Sequence, residues 1–273
     1  MAKYALRLLL FAAFAAFTLN QALASSFVVG GFDASRGGFE SLAPGEDSAL
    51  ATDIQTAFPG SSFQFTNTLT SSFLNGVNVV ILGVATTDFS ATTPLSSSEQ
   101  TALYNFVHDG GTALIFTDNS TFDPNAPTVN NSFAAPFGVT VAGTLNGGIT
   151  LPLLNPTGPL TSPFTPANSF STSYPGYYTS TNGGQILAEF NSDPGEAAVL
   201  YFKAGSFGPN SGTVVLFSDS DSMVANDALT NSNLNLMLNA FHYTGTTATT
   251  PEPGTLALLG TGLLGLFGTI RRK

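Results

Sequence analysis

The 273-residue chain contains no cysteine and no tryptophan. Without a thiol there is no cysteine nucleophile, disulfide, thiolate metal centre or iron–sulfur cluster. Cations are almost as scarce. Of the seven Lys and Arg residues, Lys3 and Arg7 lie at the start, and Arg271, Arg272 and Lys273 end the chain. Between residues 25 and 250 only Arg36 and Lys203 remain, against sixteen acids, a formal charge of 14 negative. A phosphate backbone is held by clustered Lys and Arg that displace its counterions, so nucleic-acid binding is excluded. Charged residues are only 9% of the whole, and polarity comes from Ser, Thr, Asn and Gly. That composition suits an exported body better than a cytoplasmic enzyme.

The N-terminus reads as a secretory signal over residues 1–24. Lys3 and Arg7 precede an apolar run from Leu8 to Phe17, and Ala22-Leu23-Ala24 offers the small-x-small pattern that signal peptidase requires. Cleavage is expected after Ala24. The run is too short to span a bilayer comfortably.

At the other end, Pro251-Glu252-Pro253 stops any preceding element. An uncharged Leu, Gly and Thr run follows over 255–270, then Arg271-Arg272-Lys273. Such a run is near the lower limit of about 17 residues for a transmembrane helix. The terminal cations act as stop-transfer charges, held in the cytoplasm by the positive-inside rule. Translocation begun at the N-terminus would halt here, leaving the body outside the inner membrane. These three parts in order resemble the PEP-CTERM sorting signal of Gram-negative bacteria. The resemblance implies an exosortase substrate, cut near Pro251, Glu252 and Pro253, transiently anchored in the membrane. It then implies a destination at the cell surface or in the extracellular matrix, alongside exopolysaccharide.

The body, residues 25–244, is joined to the tail by a linker over 245–250. Its first half alternates strand and helix. Phe27 to Phe32 reads as a strand, and Glu46 to Phe58 as an amphipathic helix with Leu50, Ile54, Ala57 and Phe58 on one face. Ser62 to Thr66 alternates like a strand, and Val77 to Gly83 is a β-branched run of the kind buried on both faces of a parallel sheet. Ser96 and Glu99 form a capping box for a helix whose inward stripe is Leu103, Phe106 and Val107, stopped at Gly110-Gly111. Thr112 to Thr117 is another buried strand. Residues 119–184 are rich in Ser, Thr, Asn, Pro and Gly, and are expected to be an insertion of short strands and long loops. A hairpin over 185–190 and 197–202, a strand over 213–217 and a helix over 231–243 close the body. Strand–helix alternation of this kind predicts right-handed βαβ units around a parallel sheet.

Three stretches, VNVVILG (77–83), LSSSEQTALYNFVHDGGTALIFTD (95–118) and VVLFSDSDSM (214–223) with NLNLMLNAFHY (233–243), resemble the class I glutamine amidotransferase-like superfamily. The resemblance implies a flavodoxin-like α/β fold. Members place a nucleophilic cysteine at a tight strand-to-helix turn, backed by histidine. The nearest match to that turn here is Thr117-Asp118-Asn119, which has no thiol.

Asp33, Asp118 and Asp219 each follow the end of a predicted strand, and Asp221 lies two residues on. The strand ends of an open parallel sheet converge on one rim, where ligands bind. Asp118, Asp219 and Asp221 together could hold calcium, whose hard charge prefers several oxygens, or each could cap a helix or turn. His108 and His242 fall near predicted helix ends, where partial positive charge complements the dipole. Ser35 beside Gly37 and Gly38 is a weak nucleophile elbow, and Arg36 at the same spot is a weak anion site. The 24 Phe residues fill the core, or on an exposed face would stack on sugars or a partner. Two expectations follow. One is a non-catalytic surface or matrix protein that binds exopolysaccharide or a protein partner; the other is an exported hydrolase with a non-cysteine site at the strand-end rim.

Overall fold

A computed structural model describes residues 26–37, 42, 48–86, 90–145, 147–155, 166–190, 195–224 and 229–242. The signal segment, the Ala22–Ala24 cleavage site, the linker, the sorting tail and the expected helix over 255–270 lie outside the described residues. Among the described residues, no helix is long and apolar enough to cross a membrane.

Among the described residues eleven strands form: β1 (Val28–Phe32), β2 (Ser62–Thr66), β3 (Val79–Gly83), β4 (Thr112–Phe116), β5 (Thr140–Ala142), β6 (Ile149–Pro152), β7 (Ser169–Thr172), β8 (Tyr177–Ser180), β9 (Gln185–Glu189), β10 (Ala197–Phe202) and β11 (Val214–Phe217). Between them run helices α1 (Ala34–Gly37), α2 (Ser48–Ala57), α3 (Ser71–Leu74), α4 (Ser97–His108), α5 (Ala126–Ala134) and α6 (Asn231–His242). The main sheet orders β2-β1-β3-β4-β11 in parallel, the 2-1-3-4-5 sequence of a flavodoxin-like sheet. Antiparallel β10 extends it and pairs with both β9 and β8, and β5 continues from β8. β6 and β7 form a separate antiparallel ribbon.

The central strands β3, β4 and β11 are buried at every position because both faces are covered. Val79 and Ile81 of β3 point into one core with α2 and α6, while Val80 and Leu82 point into the other with α4 and α5. β4 and β11 alternate in the same way, and Phe116 and Phe217 stack in the first core at 4.6 Å between ring centroids. Truncating either ring to Ala would cost about 3–5 kcal/mol.

The helix at 97–108 begins as its capping box predicts. Ser96 Oγ accepts from the Glu99 amide, the Glu99 carboxylate accepts from the Ser96 amide at 2.9 Å, and Gly110 at φ +109° ends the run. Residues 119–184 depart from expectation. They hold a helix, α5, and β5 and β8 join the main sheet instead of forming a separate insertion. α5 carries Thr128, Asn130 and Asn131, poor helix formers, so its propensity is low, although Pro127 in its first turn suits a helix start. It forms because Ala126, Val129 and Phe133, at i, i+3 and i+7, are buried against the sheet.

The rim at the end of β1 is closed by an ion pair. The Arg36 guanidinium bonds both oxygens of Glu99, donates to the Asn67 carbonyl at 2.8 Å and lies 4.5 Å from the centre of the Phe32 ring. Glu99 also accepts from the Leu69 amide and from the Ser96 amide and hydroxyl. Burial pushes the Glu99 carboxyl up, but Arg36 and these donors outweigh it and bring it from 4.5 to about 2. A carboxyl lowered on folding stabilises the fold above its ordinary value, and that contribution is lost as pH falls from 4.5 through 2. Replacing Glu99 by Ala leaves Arg36 buried and uncompensated, and should cost about 3–5 kcal/mol in a urea melt. A loss below about 1 kcal/mol, the range of an exposed pair, would show that the pair contributes little.

Candidate functional site

β4 and β11 are adjacent parallel strands in the register Phe116↔Phe217. Two residues further along each chain, Asp118 and Asp219 therefore leave the sheet side by side, turned to the same face. Asp219 caps the single 3₁₀ turn Ser220–Met223, which brings Asp221 back beside them. One carboxylate oxygen from each of the three residues lies within 4.8 Å of the others. Asp33 does not join them. β1 lies two strands from β4, about 9–10 Å across the sheet, and the Asp33 carboxylate accepts instead from the Ser35 amide at 3.0 Å and the Ser35 hydroxyl.

The cluster is closed. Asp118 is 6% exposed and Asp219 fully buried. Asp118 Oδ1 accepts from the Asn119 amide and side chain, and its Oδ2 from the Ser220 hydroxyl. Asp219 Oδ2 accepts from the Ser173 amide, and its Oδ1 from the Asp221 amide at 3.1 Å. Asn130 of α5 grips the Asp118 backbone from the other side, accepting from its amide at 3.0 Å and donating to its carbonyl at 2.7 Å. Gly176 passes so close that an added Cβ would sit 2.7 Å from the Asp118 carbonyl oxygen, so only glycine fits there.

No cation balances these acids. Among the described residues Arg36 is held by Glu99 and Lys203 is exposed. Burial pushes Asp118 up to about 7, with the Asp221 charge adding to the rise and the Ser220 and Asn119 donors opposing it. Asp219 is raised well above its ordinary value by burial, then by the charges of Asp118 and Asp221. Tyr178, whose hydroxyl lies 2.9 Å from the Thr117 hydroxyl one residue earlier, is raised by burial.

Ser220 and Asp118 are within hydrogen-bond reach, the geometry a serine hydrolase needs, yet both are buried and no histidine is among their partners. His108 lies at the far end of α4, half-exposed, with Nδ1 3.0 Å from the Asp109 carboxylate. The His242 side chain lies outside the described residues. Ser35 is exposed and tied to Asp33, Arg36 is committed to Glu99, and Gly38 lies outside the described residues. Sequence reasoning misses Ser173, Asn130 and Ser220 as partners of the acids, and Tyr178 as the partner of Thr117, because these contacts form between segments that no local pattern brings together. None of the described phenylalanines is among the exposed large hydrophobic residues. The exposed large hydrophobic residues among those described are Ile149, Leu154 and Tyr174.

Residues 249–273 match the PEP-CTERM protein-sorting motif. The motif covers the expected Pro251-Glu252-Pro253 segment, the apolar run and the terminal cations, and it marks the chain for export. No curated protein matches the chain by sequence. Solved structures share its fold at low identity. The mmIFT52 N-terminal domain superposes with TM-score 0.60 at 12% identity, covering 81% of this chain and 98% of that one. A cytoplasmic protein from Salmonella typhimurium gives TM-score 0.54 at 10% identity, with 80% and 98% covered. A ThuA-like protein from Parabacteroides merdae gives 0.50 at 11% identity, with 81% and 91% covered. These likenesses show a mixed α/β fold on a parallel sheet and nothing about activity.

The raised carboxyls have a defined sign. Asp118 is protonated in the fold up to about 7 but ionises near 3.8 when unfolded, so its contribution is complete below 3.8 and is lost as pH rises through 7. Asp118→Asn keeps an oxygen toward Asn119 and turns its amide to the Ser220 hydroxyl, which can accept. Melting temperature should fall between pH 5 and 8 in the parent chain, and much less steeply in the Asp118→Asn variant. Identical slopes would remove the cluster as the cause.

Proposed function

We propose that the chain is an exported, non-catalytic surface or extracellular-matrix protein whose compact α/β body is delivered by its C-terminal sorting motif. In this reading signal peptidase cuts after Ala24, and the 255–270 run holds the chain in the inner membrane. Exosortase then acts near Pro251, Glu252 and Pro253, and the body is left outside to engage polysaccharide or protein. The single observation that carries it is the PEP-CTERM match over residues 249–273. The body adds support of a different kind. Asp118 and Asp219 at the rim are buried and bonded to protein donors, and Arg36 is fixed in an ion pair. Capping and clasping are the roles in which Asp118, Asp219 and Arg36 are engaged.

Deleting residues 251–273 tests the assignment. The truncated body should leave the membrane fraction and collect in the medium. In the parent strain, mass spectrometry should find a mature C-terminus near residue 253. An unchanged membrane fraction, with an intact Lys273 terminus in the parent, would refute the sorting role.

A further inference from the structure

At the edge of the sheet opposite the carboxylate cluster, the turns that lead into β3 and β4 enclose a cleft of about 430 Å³ between α3 and the last turns of α4. That lies within the roughly 300–1,000 Å³ range of small-ligand sites. Its polar lining is mostly amide. Asn75 and Asn105 are exposed there, and Asn78 gives its oxygen to the Val28 amide at 2.9 Å, which leaves its NH₂ group facing outward from that bond. Asp109, whose Oδ1 lies 3.0 Å from His108 Nδ1, supplies one carboxylate, and the Phe106 ring packs so closely on Gly111 that an added Cβ there would collide with it.

The chemistry of these groups narrows the ligand. α4 points its C-terminal, partially negative end at the cleft, and Asp109 adds a full negative charge with no Lys or Arg in the lining, so an anion is disfavoured. One carboxylate is too few for a hard cation, which gathers six or more oxygens. A purely apolar ligand would strand the three amides. What remains is a neutral molecule dense in hydroxyl groups that both donate and accept, with an apolar C–H face for the ring.

We propose that this cleft is a binding site for a neutral saccharide, with Asn75, Asn78, Asn105 and Asp109 pairing with sugar hydroxyls and Phe106 packing against the ring. The inference rests on the surface-protein reading only for its biological setting, since binding is measured on the isolated chain whether or not that chain is sorted.

The test is affinity electrophoresis of the purified full-length chain in detergent, through native gels containing dextran, yeast mannan, galactan or, as the anionic contrast, alginate. At least one neutral polysaccharide should retard the parent chain, and alginate should not. Asn105→Ala and Asp109→Ala change exposed side chains, so melting curves should stay near the parent while binding weakens about tenfold, the scale of one lost hydrogen bond. Absence of retardation by all three neutral polymers would overturn the proposal. So would equal retardation by alginate, or undiminished binding in both variants.

Discussion

A single carboxylate sets the geometry of the strand-end rim. Glu99 begins α4 through its capping box with Ser96, receives the Arg36 guanidinium from the turn after β1, and takes the Leu69 amide from the chain after β2. These are the segments that meet where the strand order reverses, with β2 on one side of β1 and β3 on the other. In open α/β sheets this crevice is the usual ligand seat. Here the protein's own ion pair is seated, and a buried pair is fixed in place because losing either partner strands the other charge.

Scarcity of positive charge shapes the rest of the rim. With Arg36 committed and Lys203 exposed, Asp118 and Asp219 have no cationic partner among the described residues, and their environment drives them toward the neutral, protonated form. Backbone amides and hydroxyls from Ser173, Asn119 and Ser220 take up the oxygens. The cluster therefore works as a clasp between β4, β11 and the loop after β7. Its strength depends on proton occupancy, whereas the Glu99–Arg36 pair depends on ionisation. The two carboxylate systems respond to pH in opposite directions, so together they support the fold best where their ranges meet, between 3.8, above which the Asp118 contribution declines, and 4.5, below which the Glu99 contribution declines.

Local patterns in the sequence foretell the parallel half of the fold. The runs 77–83 and 112–117 are continuous and β-branched, which only a sheet covered on both faces accommodates, and Ser96 with Glu99 marks the start of α4 to the residue. Helix α5 is hidden because its stability is tertiary: Val129 and Phe133 hold a segment that its Thr and Asn residues would leave irregular. The meeting of Asp118 with Asp219 and Asp221 is half visible. Asp118 and Asp219 read as strand-end acids, but their contact follows from β11 lying next to β4, and 102 positions separate Asp118 from Ser220. The same long-range pairing explains why Asp33, a strand-end acid too, is left out. Arg36 shows the converse: a glycine-flanked cation that looks available in sequence is consumed by Glu99, 63 residues away.

The two ends of the sheet consequently differ in kind. At the strand C-terminal end, Glu99 is buried and paired with Arg36, and Asp118 and Asp219 are buried and bonded by protein donors. At the opposite end the turns before β3 and β4 are short, glycine-bearing and exposed, and their amides and Asp109 face solvent across a concave surface. A body destined for the cell exterior must meet its surroundings through surface that folding leaves unsatisfied, and this concave polar cleft lies at the end of the sheet away from the usual ligand seat. The separation also has a mechanical merit. A ligand held between α3 and α4 leaves the Glu99 junction and the carboxylate clasp untouched, so recognition at one end need not disturb what stabilises the other.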